Sequence, residues 1–300
     1  MTKRMAPTWV AMACALAVGG CGKTGGGRTM IQNKGSDTMV NLAQAWAEEY
    51  RKVRPAAAIA VSGGGSGTGI AALMNGTVDI ANASREVKKE EAETAKKNTG
   101  KTPVEHLVAH DALAIYVHRS NPMPKITRDQ VKSIYGEGGK ASKWSDLGVE
   151  VPDCAGQEIV RVSRQNNSGT YHYFREWTVG EKGDFKLGSR DMQGSKDVVD
   201  LVERTPCAIG YSGIGYKTDN VKAMCVAKDD KSDCVEPSPE NTLNQKYPVS
   251  RGLYMYTLGE PAGEVARYLD WIRSDAGQAL VGRTGYVELP ADKRRPAPAP

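Results

Sequence analysis

The chain has 300 residues, 40% of them hydrophobic and 25% charged, which is ordinary globular usage and room for about two domains. Its formal charge of +5 includes Lys3 and Arg4 of the first twenty residues, so the rest carries about +3. That balance is too weak to argue for a nucleic-acid partner, and no dense basic stretch interleaved with aromatics appears.

Lys3 and Arg4 form a charged n-region, and Trp9 to Val18 form a short, mostly apolar h-region. Residues 1–20 therefore read as an export signal, too short to serve comfortably as a membrane span. The closing Val18-Gly19-Gly20-Cys21 resembles a bacterial lipobox. The resemblance implies cleavage before Cys21 and lipidation of its thiol and new amino group. The chain would then be anchored at the periplasmic or extracellular face of a membrane. A plain signal peptide with an incidental Cys is the alternative. Residues 21–28 are Gly-rich and read as a flexible tether. No second apolar stretch is long enough to span a bilayer.

Past the tether, strand and helix signals alternate. Thr29 to Asn33 reads as a strand, and Val40 to Val53 places Leu42, Ala45, Trp46 and Tyr50 at helical spacing. A strand over Ala58–Ser62 leads through a Gly-rich loop into a helix over Gly69–Asn75, which Asn75-Gly76 stops. Val78–Ala83 reads as a buried strand, Lys88–Asn98 as a charged helix, and Leu107–Val117 as a long strand broken by Ser120-Asn121-Pro122. Thr127 caps a helix over Arg128–Tyr135. Further strands are expected at Glu158–Ser163, Ala208–Ser212 and Gly252–Thr257. Further helices are expected at Tyr171–Trp177, Ser195–Arg204, Gly263–Arg273 and Ala276–Thr284. The rhythm predicts an α/β fold with mostly parallel sheets, in which ligands sit beyond the C-terminal strand ends. Residues 290–300 are rich in Pro and Ala and read as a disordered tail.

Three loops carry the chemistry. Gly35-Ser36-Asp37-Thr38, Gly65-Ser66-Gly67-Thr68-Gly69 and Asn167-Ser168-Gly169-Thr170 each run straight into a helix. A helix start leaves backbone N–H groups without partners, and hydroxyls beside it add donors. One such loop is commonplace, because Ser, Thr and Asp are ordinary caps. Three of them, the third preceded by Arg164, point to several helix ends converging on one oxyanion.

Cys14 leaves with the signal, and Cys154, Cys207, Cys225 and Cys234 remain beside Cys21. An even number in an oxidising compartment implies two disulfides. Cys225 and Cys234 flank a polar segment that reads as a hairpin, so they pair, and Cys154 with Cys207 follows by elimination. A zinc site built from all four is the alternative, without a CxxC pair to support it.

Other chemistry is thin. Thr68 stands where G-x-S-x-G needs its last Gly, and the same run fails the dinucleotide and P-loop patterns. His106 and His110 sit four apart across an expected loop and strand start, and read as surface histidines. His172 follows the third loop and takes no role. No metal or organic cofactor is expected.

The same loops are also recognisable. Gly35-Ser36-Asp37-Thr38-Met39, Gly64-Gly65-Ser66-Gly67-Thr68-Gly69, Val78 to Arg85 and Ser168-Gly169-Thr170 together resemble the phosphate-binding proteins of bacterial phosphate-specific ABC transporters. So do Asp111-Ala112-Leu113-Ala114-Ile115, Ser120-Asn121-Pro122, Ala208-Ile209-Gly210-Tyr211 and Tyr247-Pro248-Val249-Ser250-Arg251. The resemblance runs from about residue 30 to 290 and is carried by the order and spacing of these stretches. It implies a type II periplasmic-binding-protein fold, two α/β lobes with a ligand cleft between them. Lobe one would take 29–111 plus 249–289, and lobe two 112–248.

The resemblance also implies a ligand set: Ser36, Asp37 and Thr38, with Met39 beside them, then Ser66, Gly67, Ser84, Arg85, Arg164, Ser168, Gly169 and Thr170. Some members carry Asp where Arg85 stands, to accept the proton of bound phosphate. Here Asp37 becomes the acceptor or is a plain helix cap, and Arg85 contacts the anion or pairs with Asp37. The implied activity is that of a monomeric, non-catalytic receptor that binds inorganic phosphate and delivers it to the permease subunits. Three other readings stand beside it. One is a receptor for sulfate, molybdate or tungstate. Another is a phosphate-ester hydrolase or phosphotransferase using Ser66 or Ser168, although neither loop holds a His or Glu to act as base. The last is a surface lipoprotein that signals phosphate status.

Overall fold

A computed structural model describes residues 29–298. The segments expected to be an export signal and a tether, Cys21 with them, and the last two residues lie outside the described residues. In chain order the structure opens with β1 (Thr29–Gly35), a 3-10 turn at Asp37–Met39 and α1 (Val40–Val53). β2 (Ala57–Ser62), α2 (Ser66–Met74), β3 (Ile80–Ala83) and α3 (Lys89–Thr99) follow. β4 (Pro103–His118) leads to β5 (Ile126–Thr127), α4 (Arg128–Tyr135), β6 (Val160–Arg164) and α5 (Gly169–Val179). Then come β7 (Arg190–Met192), α6 (Ser195–Glu203), β8 (Ala208–Gly213), β9 (Val221–Ala223), β10 (Val226–Ala227), β11 (Cys234–Val235) and α7 (Pro239–Leu243). β12 (Ser250–Leu258), α8 (Gly263–Ile272) and α9 (Asp275–Arg283) close the fold.

The strands form one continuous sheet in the order β2-β1-β3-β12-β4-β8-β6-β7, with β9 also on β4, and a small sheet β11-β10-β5. Two lobes arise because apolar side chains gather in separate cores. Ile31, Leu42, Trp46, Leu253 and Ile272 share one, and Leu113, Ile126, Phe174, Tyr211 and Val249 share another. β4 and β12 run between them.

The expectation of mostly parallel sheets needs correcting. β1 pairs β2 and β3 in parallel, and β6 pairs β7 and β8 in parallel. The middle of the sheet is antiparallel, at β3–β12, β12–β4, β4–β8 and β4–β9. The chain leaves on β4 and returns on β12, so two neighbouring crossing strands must run in opposite directions.

Helix starts follow local chemistry. Thr127 Oγ1 accepts the Gln130 N–H at 3.2 Å while the Gln130 side chain accepts the Thr127 N–H at 2.9 Å, a complete capping box for α4. α2 and α5 begin at Ser66 and Gly169, earlier than their apolar spacing indicates. Glycine costs helix stability, which argues for a later start. Packing overrides this at Gly69, where a Cβ would lie 2.4 Å from Lys34 O and 2.6 Å from Gly35 Cα. Helix propensity alone makes Gly69→Ala stabilising, but the close approach to β1 reverses the sign. Gly69→Ala is expected to cost about 1–3 kcal/mol and lower Tm by several degrees in a thermal melt. A raised Tm would show that α2 can lift off β1 without loss.

Disulfides join Cys154 to Cys207 and Cys225 to Cys234, with Cα separations of 5.2 and 5.4 Å. The second closes the β10–β11 hairpin. The tail also differs from expectation, because residues 290–295 are docked. Arg294 donates to Leu289 O at 3.0 Å, Asp275 Oδ1 at 2.9 Å and Glu288 Oε2 at 2.7 Å. The Arg295 amide donates to Arg273 O at 2.9 Å. Arg294 of the basic run Lys293-Arg294-Arg295 supplies the anchor, pairing with Asp275 and Glu288. β5, β7, β9 and α7 go beyond the expected elements, because pieces that short carry no period to read. No helix of the described residues is long and apolar enough to cross a membrane.

Candidate anion-binding site

β1 ends at Gly35 and β3 at Ala83 side by side, since Gly35 pairs with Asn82. The loop after β1 starts α1, and the loop after β2 starts α2. From the other lobe, β6 ends at Arg164 and its loop starts α5. These three loops meet. The Gly67 amide donates to Asn167 O at 2.9 Å, and Asn167 Nδ2 donates to Gly64 O at 2.9 Å. Gly67 and Gly169 are therefore points of close backbone approach. A Cβ on Gly169 would sit 2.4 Å from Ser66 Oγ and 2.8 Å from Ser84 Oγ, so only glycine leaves room among those hydroxyls.

Hydroxyls fill the junction. Ser36 Oγ donates to Ser84 Oγ at 3.0 Å, and Ser66 Oγ lies 3.2 Å from Ser84 Oγ while accepting the Ser84 amide at 3.0 Å. Thr38 Oγ1 lies 2.8 Å from Thr170 Oγ1 and 3.3 Å from Ser195 Oγ. Ser36, Thr38, Ser66, Ser84, Ser168, Thr170 and Ser195 are all buried. Ser168 Oγ caps α5 by accepting the Tyr171 amide at 3.3 Å.

One ion pair stands inside this cluster. Arg164 donates to Ser195 Oγ at 2.8 Å, to Gln193 O at 2.5 Å and to Asp37 Oδ2 at 3.3 Å. Asp37 Oδ1 accepts the Gly64 amide at 2.8 Å, which ties the first loop to the second. Burial depresses the Arg164 pKa from its ordinary value, and the Asp37 charge works against that. Burial also pushes the Tyr216 phenol up to about 12, so it remains a donor to Asp37 O, 2.9 Å away.

The loops thus bring Ser36, Asp37, Thr38, Ser66, Gly67, Ser84, Arg164, Ser168, Gly169 and Thr170 together. Two expected placements are not met. Arg85 does not pair with Asp37: its guanidinium is held by both carboxylate oxygens of Glu91 at 2.7 and 2.8 Å. Glu91 is six residues on and also caps α3 through the Lys88 amide, so it reaches Arg85 before Asp37 can. The Met39 side chain packs in the lobe core. Three site neighbours were missed. Ser195 opens α6 as the other loop hydroxyls open their helices, a signal that could have found it. Asp111 and Arg251 lie in stretches already singled out, but their pairing depends on the register of β12 on β4.

A cavity of about 550 Å³ adjoins the site, lined by Arg85, Lys88, His172, Tyr173, Glu176 and Arg251. Burial, with Lys88 and Arg85 nearby, lowers the His172 pKa. His106 is half-buried and bonds Thr257 Oγ1 at 3.0 Å, which corrects the surface reading. No cluster of metal-ligating side chains occurs among the described residues.

Two α/β lobes, with helix starts, hydroxyls and a paired guanidinium buried between them, make a binding protein whose cleft chemistry suits a small oxyanion. The family model described as PBP superfamily domain matches residues 22–276. The chain is 38% identical to the phosphate-binding protein PstS of Pseudomonas aeruginosa, over 87% of this chain and 83% of that protein. It is 33% identical to protein SphX of Synechococcus elongatus, over 88% and 79%. A solved Clostridium perfringens structure with bound phosphate, described as a phosphate ABC transporter substrate-binding protein, superposes with a TM-score of 0.77. The two are 30% identical, and the match covers 87% of this chain and 100% of that one. The chain belongs to the PBP superfamily and, within it, to the family of the phosphate-binding protein PstS.

Proposed function

We propose that this protein captures inorganic phosphate between its lobes and delivers it to the permease subunits of an ABC transporter. The observation that carries this reading is the Arg164–Asp37 pair set among buried hydroxyls at three helix starts. Taking phosphate out of water demands many directed donors. Helix N-termini supply partial positive charge, hydroxyls supply neutral donors, and Arg supplies a planar fork. Ser36, Asp37, Thr38, Ser66, Gly67, Ser84, Arg164, Ser168, Gly169 and Thr170 are the proposed contacts. Arg85 is left out because Glu91 engages it. Lobe one comprises 29–111 and 249–289, and lobe two 112–248, in a monomer. Among the described residues the partners of the Ser66 and Ser168 hydroxyls are Ser84 and the Tyr171 amide. Membership of the PstS family supports a receptor rather than a hydrolase.

Calorimetric titration tests the ligand. One phosphate per chain is expected to bind, and sulfate and molybdate far more weakly. Sulfate or molybdate binding more tightly than phosphate would replace this reading with that of another oxyanion receptor.

The receptor works outside the cytoplasm, tethered through a lipid on Cys21. Cys21→Ser is expected to abolish lipid-dependent processing and leave an unprocessed or soluble form in membrane fractionation. A Cys21→Ser protein that is cleaved and retained like the wild type would remove the lipobox from the account.

A further inference from the structure

A second buried ion pair lies where the lobes cross. Asp111 on β4 faces Arg251 on β12 in the antiparallel register, with side chains 0% and 2% exposed. Arg251 donates twice to Asp111 Oδ2, at 3.1 and 2.8 Å. The rest of its guanidinium reaches both lobes, donating to Ser84 O and to Thr170 Oγ1, each at 3.0 Å. The other oxygen of Asp111 accepts the Ile214 amide at 3.1 Å.

This fixes a proton. A hydroxyl that accepts from a guanidinium cannot aim its own hydrogen at that cation. The Thr170 hydrogen is therefore turned away from Arg251, to the side where Thr38 Oγ1 lies 2.8 Å away. Ser195 is turned likewise, accepting from Arg164 at 2.8 Å with Thr38 Oγ1 at 3.3 Å. Two guanidiniums on separate elements thus orient the hydroxyls between them.

We propose that Arg251 is a positioning residue for the oxyanion. Anchored on Asp111 at the lobe crossing, it locks the Thr170 hydroxyl as a donor into the cleft and ties that donor to Ser84 of the other lobe. The inference rests on the phosphate-receptor reading above. A freely rotating hydroxyl presents a lone pair to an anion as readily as a proton, so binding must order it. A hydroxyl already locked as donor avoids that cost.

The test is a double-mutant cycle on phosphate Kd with Arg251→Lys and Thr170→Val. Lysine keeps the charge opposite Asp111, but one ammonium cannot serve Asp111, Ser84 O and Thr170 Oγ1 as the fork does. Arg251→Lys is expected to weaken binding about tenfold, and Thr170→Val at least as much. The double variant should bind no more weakly than Thr170→Val, because no hydroxyl remains to be oriented. Additive losses, or an Arg251→Lys protein with wild-type Kd and a lowered Tm, would make Arg251 a brace only. Wild-type protein that binds no phosphate would overturn the receptor reading instead. Hydrogen exchange without ligand then decides for Arg251. Faster exchange at the Thr170 and Tyr171 amides in Arg251→Lys is expected, and unchanged exchange there overturns the proposal.

Discussion

Arg164→Ala is expected to weaken phosphate binding by well over tenfold. A hydrogen bond to a charged group contributes about 1.5–3 kcal/mol, so losing even one of them weakens binding about tenfold or more. A second effect adds to the first. Arg164 is the charge opposite Asp37, whose Oδ2 lies 3.3 Å from it. Without Arg164 the carboxylate faces the incoming anion unscreened in a buried setting, where a like charge repels strongly. The side chain is 1% exposed, and removing one partner of a buried pair costs about 3–5 kcal/mol of stability. Circular dichroism must therefore accompany the titration. Arg164→Lys is the milder variant: it keeps the charge and loses the fork, so an intermediate affinity is expected. A folded Arg164→Ala protein with unchanged affinity would remove this residue, and the cleft around it, from the binding site.

Asp37→Asn is expected to shift the preference between oxyanions, with sulfate gaining at least tenfold relative to phosphate. At neutral pH phosphate still carries a proton and sulfate carries none. A carboxylate in an anion site is useful only as an acceptor for that proton, and against sulfate it is an unpaired acceptor and a like charge. Asparagine keeps an oxygen to accept the Gly64 amide, which Asp37 Oδ1 holds at 2.8 Å. It also replaces the charge with a donor. Phosphate loses modestly, because an amide oxygen still accepts its proton. Competition calorimetry reads the ratio directly. An unchanged ratio would reduce Asp37 to a brace between the first two loops and a partner for Arg164.

Much of the architecture was legible because its signals are local. The helical spacing of Leu42, Trp46 and Tyr50 gave α1 its extent, and all three side chains are buried. The Thr127–Gln130 box, the Cys225–Cys234 hairpin and the three loops that start helices each span a few residues, within which side chain and backbone decide the outcome together. The Arg85–Glu91 pair is equally local and was open to reading in the same way.

Tertiary structure alone decided which distant groups meet. Asp37 and Arg164 are 127 residues apart, Arg251 and Asp111 are 140, and Thr38 and Ser195 are 157. Nothing at either end of such a pair marks the other in the sequence. Arg164, unlike Arg85, finds its partners on separate elements, Asp37 in the first loop and Ser195 at the start of α6. The antiparallel middle of the sheet has the same origin. Strand direction follows from where the chain must return to close the first lobe's core, a condition set by burial across the whole molecule and by no residue within β4 or β12.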